Sequence, residues 1–347
     1  MTSRHAPVIP PHMLDALARH GAGHLKSRAQ NTLSIDQQFR QPMSARAKAS
    51  LIHQNYPDSA PGAPARYIFD ANHQTRLPGE LVLEEGGALL DDPQVVEAYE
   101  DLGATYRFFH DVMGRHSIDG EGMALLGTVH YGQEYQNAFW NGEQMVFGDG
   151  DGEVFLPFTR ALDVVAHELT HGVTELTAGL EYRDQPGALN ESISDVFGVM
   201  VKQYARGEDV TQADWLIGAD LLAEGVNGKA LRSMSAPGTA YDDPMLGKDP
   251  QPAHMDQFVN TRSDNGGVHI NSGIPNHAFY LIAMELGGNS WETAGQIWYD
   301  TLTDERLASD AQFIDFAGLT MAHATQRFGQ RVAEAVMNGW KQVGIGP

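Results

Sequence analysis

Residues 161–178 read ALDVVAHELTHGVTELTA, and inside them stands His167-Glu168-Leu169-Thr170-His171. Apolar residues fall on nearly every side of this run, which predicts a buried helix. Residues four apart on a helix lie about 40° apart around the axis and roughly 6 Å along it. Both imidazoles can therefore reach one small cation at about 2 Å. Glu168, one step round, can poise beside the coordination position that the histidines leave open.

NESISD follows at residues 190–195, on a second predicted helix over 188–206. Glu191 and Asp195 are four apart and share one face of it. Alone, such a pair reads as a solvated helix face. Behind an H-E-x-x-H it reads as a third ligand and its support. Two histidines and one carboxylate leave a fourth position open, the donor set of a catalytic rather than a structural zinc. Asp195 would accept a hydrogen bond from a ligand imidazole and fix its tautomer. The chain has no cysteine, which excludes disulfides and thiolate ligands.

The 347 residues exceed what one core usually supports and predict two packed domains plus an appendage. A hydrophobic share of 42% with 20% charged residues is a globular balance and excludes wholesale disorder. No run approaches 18 apolar residues, so no membrane-spanning helix is expected. The formal charge of −22 would repel nucleic acid. Residues 1–50 nevertheless carry net +5, against −27 on the remainder. A basic head on an acidic body suggests a segment docked on the rest, with a solvated tail as the competing reading.

Residues 12–29 show weak helical periodicity after Pro10-Pro11, and PDSAPGAPA at 57–65 reads as a linker. RYIFD and ELVLE suggest a hairpin within 66–90, and residues 93–115 an amphipathic helix. GTVHYG and QMVFGDGDG read as short strands, and helix follows helix from residue 273. The class is α+β, strand-rich in its first half and helical in its second. GDGDG at 148–152 is too short for an EF-hand loop and lacks its distal Glu, so a hairpin turn is expected.

Four long motifs resemble the thermolysin-like zinc metalloendopeptidases. They are YQNAFWNGEQMVFGDGDG (135–152), DVVAHELTHGVTELTAGLEYRDQPGALNESISDVFG (163–198), ALRSMSAP (230–237) and DNGGVHINSGIPNHAFYLI (264–282). The resemblance covers most of residues 67–347. IPPHML at 9–14 further resembles the protealysin-like subgroup, whose zymogens begin with a short propeptide containing Pro-Pro. The resemblance implies a strand-rich N-terminal domain, a helical C-terminal domain and a zinc cleft between them. The expected division is a propeptide at 1–50, an α+β domain at 51–180 ending in the zinc helix, and a helical domain at 181–347.

Carried over residue by residue, the resemblance makes His167, His171 and Glu191 the ligands of one zinc per chain. Glu168 is implied as the general base, with His269 and Tyr182 as donors to the oxyanion and Asp264 orienting His269. Asn190 and Asp195 stand behind the two imidazoles. Asn137, Ala138 and Arg232 bind substrate backbone. Phe155, Phe158, Val164, Ile217, Leu221 and Leu231 line the pocket for the residue after the scissile bond, which should therefore be large and apolar. FTRALDVV departs from the family, since Arg160 and Ala161 stand where several relatives have Gly-Gly, and this should stiffen the hinge. At the family's double calcium site Asp163 and Asp214 match ligands, but Lys202, Leu216 and Ala219 stand at the other positions. Calcium is therefore not expected there, and the Lys202 ammonium should replace it by pairing with Asp163 and Asp214.

The function expected is a zinc endopeptidase made as a self-inhibited zymogen. Its propeptide would lie in the cleft through Pro10, Pro11 and Leu14, and autocatalysis would remove it near Ser50–Leu51, with the Arg40–Met43 surroundings as secondary sites. The alternative is a catalytically silent zinc protein that captures peptides; a zinc aminopeptidase would need a site for the free amine, for which no motif is seen. Partners expected are protein or peptide substrates and the protein's own propeptide, with no nucleic acid and no membrane, and the chain acting as a monomer. The N-terminus has no apolar stretch of secretory length and no twin arginine. The chain is thus expected in the cytoplasm at first, which leaves release by a non-classical route open.

Overall fold

Strand β2 (Arg66–Asp70) pairs antiparallel with β3 (Glu80–Glu84), the expected hairpin, and parallel with β4 (Leu125–Val129). All five β4 residues are buried, as suits a strand covered on both faces. Strand β6 (Met145–Phe147) runs parallel to β4 and antiparallel to β5 (Ala138–Trp140). Outside β5 lies β1 (Ala6–Pro7), from the N-terminal segment, giving the order β1-β5-β6-β4-β2-β3. This computed structural model describes residues 6–39 and 55–346.

Helix α3 (Pro93–Asp111) packs on the sheet, and its Tyr99, Leu102, Tyr106 and Phe109 are buried. Asp92 starts it by accepting from the backbone N–H groups of Gln94 and Val95, with Pro93 in the first turn. Beyond the sheet lie α4 (Leu162–Leu176) and α5 (Asp184–Arg206). Asp163–Thr174 of α4 and Pro186–Gln203 of α5 are buried throughout. The two helices approach so closely at Gly198 that a Cβ there would stand 2.5 Å from the Asp163 carbonyl oxygen. That approach brings the HELTH and NESISD faces together.

The helical half follows: α6 (Asp264–Asn271), α7 (Gly273–Leu286), α8 (Ala294–Leu302), α9 (Phe313–Phe328) and α10 (Gln330–Gln342). Trp298 stacks on Trp340 at its centre. Between α5 and α6, strand β7 (Leu216–Ile217) pairs with β8 (Arg232–Ser233). None of the described helices is long and apolar enough to cross a membrane.

Three local expectations change. The periodicity at 12–29 resolves into two helices, α1 (Pro11–His20) and α2 (Gly23–Phe39), broken at Gly21. The linker reading of 57–65 gives way to a pinned segment, because Ser59 donates through both its N–H and its hydroxyl to the Gly122 carbonyl. GDGDG is a turn, but it follows β6 instead of joining two strands: the Asp151 carboxylate accepts from the N–H groups of Glu153, Val154 and Phe155. Ser50–Leu51 and Arg40–Met43 lie outside the described residues.

Candidate active site

His167 and His171 face each other from successive turns of α4, with their Nε2 atoms 3.1 Å apart. From α5, Glu191 Oε2 stands 3.4 Å from His167 Nε2, and Oε1 stands 3.5 Å from His171 Nε2. Each Nδ1 is engaged from behind, His167 with Asp195 Oδ1 at 2.8 Å and His171 with Asn190 Oδ1 at 2.7 Å. Nδ1 is thus the protonated position when the ring is neutral, and the Nε2 lone pairs converge. Among the described residues, Glu191 Oε2 and Glu168 Oε1 are buried without a hydrogen-bond partner. Two imidazoles, which a metal takes in their neutral form, and a carboxylate converging on one point fit a zinc ion.

Charge in the site is finely divided. Burial disfavours charge on His167, but Asp195 and Glu191 outweigh it and raise its pKa to about 9. Burial pushes His171 down to about 4. Burial also works against ionised Glu191, yet His269, His171 and His167 hold it well below the carboxylate range. Glu168, 0% exposed, is pushed well above that range by burial. Loading a cation displaces the proton on His167, so metal binding strengthens with pH. His73, His130 and Asp149 form another group of possible metal donors, but His130 is engaged at both nitrogens, by Asp149 and Asp92.

Opposite the ligands, α6 opens with Asp264, Asn265, Gly266 and Gly267, whose φ values are 53°, 49°, 91° and 80°. This left-handed run brings the Asp264 carboxylate onto the His269 N–H at 2.9 Å and onto Nδ1 at 2.6 Å. Burial opposes charge on His269, but Asp264 and Glu191 raise its pKa, which favours the doubly protonated ring. Tyr182 Oη donates to Glu191 and lies 3.3 Å from His269 Nε2.

The N-terminal segment fills the space between these groups. His269 Nε2 donates to the Pro7 carbonyl at 3.2 Å, and Arg232 Nη1 to the Val8 carbonyl at 3.2 Å. Val8 N donates to Ala138 O at 3.1 Å, and Ile9 N to Asn137 Oδ1 at 2.9 Å. Val8, Ile9, Met13, Leu14 and Leu17 are fully buried; Pro10 is buried and Pro11 partly so. Phe155, Phe158, Val164, Ile217, Leu221 and Leu231 are buried in the same core cluster. Lys202 Nζ stands 2.9 Å from Asp163, 3.0 Å from Asp214 and 2.6 Å from the Leu216 carbonyl.

Four contributors were absent from the sequence reading. Trp140 donates its backbone N–H to Glu168 Oε2, which no side-chain pattern signals. Asn276 Nδ2 donates to Asp195 Oδ2; it lies within a quoted motif but carries no chemistry alone. Asp36 accepts from Tyr135 and Asn137, and it is one of only two acids in the basic head, a signal that could have marked it. His12 meets the Tyr241 hydroxyl at 3.0 Å.

A metal centre of two histidines and one carboxylate, beneath an edge strand that binds extended backbone, defines a metal-dependent peptide hydrolase. Comparison agrees. Residues 40–175 match the thermolysin metallopeptidase catalytic domain, and residues 178–345 its alpha-helical domain. The chain is 57% identical to an extracellular metalloprotease of Pectobacterium carotovorum subsp. carotovorum, over 97% of this chain and 96% of that one. It is 39% identical to a thermolysin of Alicyclobacillus acidocaldarius subsp. acidocaldarius, over 80% of this chain and 50% of that one. The solved precursor of protealysin, a metalloproteinase from Serratia proteamaculans, superposes with TM-score 0.91 at 54% identity, covering 98% of this chain and all of that one. The chain belongs to the thermolysin metallopeptidase family and is a zinc metalloendopeptidase of that type.

Proposed function

We propose that the protein is a self-inhibited zymogen whose mature form cuts peptides on the N-terminal side of large apolar residues. The observation that carries the reading is the seating of residues 7–9 in the cleft, between His269, Arg232 and Asn137. Residues 1–50 would be the propeptide, followed by the domains at 51–180 and 181–347. A zinc ion held by His167, His171 and Glu191 would polarise a carbonyl and lower the pKa of water. The charge of a bound cation would offset the burial that keeps Glu168 protonated, and the Glu168 carboxylate would then take a proton from the attacking water and pass it to the leaving amine. His269, steadied by Asp264, and Tyr182 donate to the oxygen on which charge develops. Asn137 and Ala138 hold the substrate as an added strand, and Arg232 grips a carbonyl.

Phe155, Phe158, Val164, Ile217, Leu221 and Leu231 are all apolar and buried, which supports the preference for Leu, Phe or Ile after the cut. A desolvated pocket without polar partners rejects charged side chains. The reading as a silent capture protein gains no support, since the relatives named above are proteases. We further propose a monomer made in the cytoplasm, to be checked by size exclusion and by fractionation. The central test is a peptide-cleavage assay, with and without chelator, on protein whose N-terminus has been sequenced. Cleavage before Leu by a chain starting near Leu51, abolished by chelator, is expected. Activity in a chain retaining residues 1–50 covalently would overturn the zymogen reading.

A further inference from the structure

We infer that Pro7–Val8 is a second self-cleavage site, cut in cis while the propeptide is still docked. This rests on the peptidase reading above and adds a bond to it. The N-terminal strand is bound as a substrate strand would be. It runs antiparallel to β5, with Ala6 opposite Trp140 and Pro7 opposite Phe139. Past the strand, Val8 N donates to Ala138 O, while Ile9 exchanges two hydrogen bonds with the Asn137 amide at 2.9 and 3.3 Å.

The donors identify the bond. His269 grips one carbonyl, that of Pro7, at 3.2 Å. Arg232 grips the next, that of Val8. If His269 serves the carbonyl under attack, the bond presented is Pro7 C–Val8 N. Val8 then follows the cut. It is apolar and 0% exposed, in the same core as Phe158, Val164 and Leu231. Its chemistry is what the apolar wall selects.

In the step, water adds to the Pro7 carbonyl carbon and its proton passes through Glu168 to the Val8 nitrogen. The C–N bond breaks, leaving a Pro7 carboxyl group and a Val8 amine; the water's second proton then passes from the carboxyl to the amine, giving a carboxylate and an ammonium. Two features keep the cut slow. Pro7 has a fixed φ and no N–H to bond β5. Residues Val8–Pro10 continue into α1, whose Met13, Leu14 and Leu17 are buried, so the new amine stays in place and favours resynthesis of the bond. The product starting at Val8 therefore remains inhibited, and it is distinct from a mature chain starting near Leu51.

The experiment follows zinc-loaded full-length protein by intact mass over time. A species lacking residues 1–7 is expected, formed at a rate independent of protein concentration and absent from Glu168→Ala. Val8→Asp should suppress it, while Val8→Leu, which keeps the apolar contact, should preserve it. In Glu168→Ala, slow hydrogen exchange at the Val8 and Ile9 amides should report the docked register without any turnover. The inference falls if the zymogen never yields a Val8 terminus although the same preparation, freed of its propeptide, cuts peptides before Leu. A preparation that cuts no peptide in either form overturns the peptidase reading as well.

Discussion

Arg232 and Asp195 meet through two parallel hydrogen bonds of 2.8 Å, Nε to Oδ2 and Nη2 to Oδ1, with both side chains buried. The same carboxylate takes His167 Nδ1 at 2.8 Å and Asn276 Nδ2 at 2.8 Å. Burial opposes its ionisation, but Arg232 and His167 hold its pKa down to about 2. The third Arg232 nitrogen reaches the Val8 carbonyl. One carboxylate thus links the orientation of a metal-binding imidazole to the grip on a bound peptide.

Asp195→Asn should weaken both. Loss of the charge behind His167 should lower zinc affinity by about 10–100-fold, measured by chelator competition. Arg232 would be stranded, at a cost of about 3–5 kcal/mol, read by denaturant unfolding of the zinc-free protein. Asn276→Ser removes one neutral donor and should cost far less in both measurements. Equal losses in the two variants would show that the carboxylate's charge is not what matters.

Glu168→Ala should abolish peptide cleavage while zinc content stays near one per chain. Among the described residues Glu168 Oε2 accepts from the Trp140 N–H and Oε1 has no hydrogen-bond partner, so the substitution breaks no hydrogen bond to His167, His171 or Glu191, although a Glu168 oxygen lies within 4.8 Å of a nitrogen of each histidine. The chain should also accumulate full length if maturation is autocatalytic. Metal analysis beside a peptide assay checks this, and substantial turnover by the variant would contradict the mechanism.

The zinc helix and its partner were legible because their signals are local. HELTH and NESISD each place two functional side chains four residues apart, and helical geometry does the rest. The β2–β3 hairpin and α3 were legible for the same reason, since period and turn residues lie within one window. Gly198 looked ordinary in sequence, yet its missing Cβ is what lets α5 approach Asp163. The left-handed run from Asp264 to Gly267 had a local signal that went unread, since Asp, Asn and Gly are the residues that most readily take this conformation; its contact with His269 could not be read from it. Strand β1 was invisible: two residues have no period, and β5 alone makes them a strand.

Docking of the N-terminal segment should weaken in acid. His12 is partly buried, with Nε2 on Tyr241 Oη and Nδ1 without a partner. Burial pushes its pKa down to about 4; Asp264 pulls the other way, while His269 and Arg232 add to the depression. The docked state therefore binds fewer protons than the released state between about pH 4 and 6.5. Docking is at full strength above 6.5 and is progressively lost as pH falls through that window. In Glu168→Ala, the protection factors of the Val8 and Ile9 amides, meaning exchange corrected for the intrinsic rate at each pH, should be lower at about pH 5 than at about pH 7.5. His12→Gln should flatten the difference, and an unchanged slope in that variant would assign the effect to another group.

Lys202 should make the α4–α5 region independent of calcium. Its ammonium sits among Asp163, Asp214 and the Leu216 carbonyl, and both Lys202 and Asp163 have side chains only 3% exposed. Burial opposes its charge, but Asp163 and Asp214 outweigh this and raise its pKa, so the ammonium stays protonated across the neutral range. A calcium ion needs six to eight oxygens, mostly anionic, and here a fixed cation already occupies the company of two carboxylates. Removing calcium with zinc kept saturating should leave the melting temperature unchanged, and adding calcium should not raise it. Lys202→Ala would leave the Asp163 carboxylate buried with only the Gly218 N–H as a partner at 3.1 Å. Breaking a buried pair in this way costs about 3–5 kcal/mol, and denaturant unfolding should show the loss. A melting temperature that rises with calcium in the unaltered protein, together with a mild Lys202→Ala phenotype, would mean that the ammonium does not replace the ion.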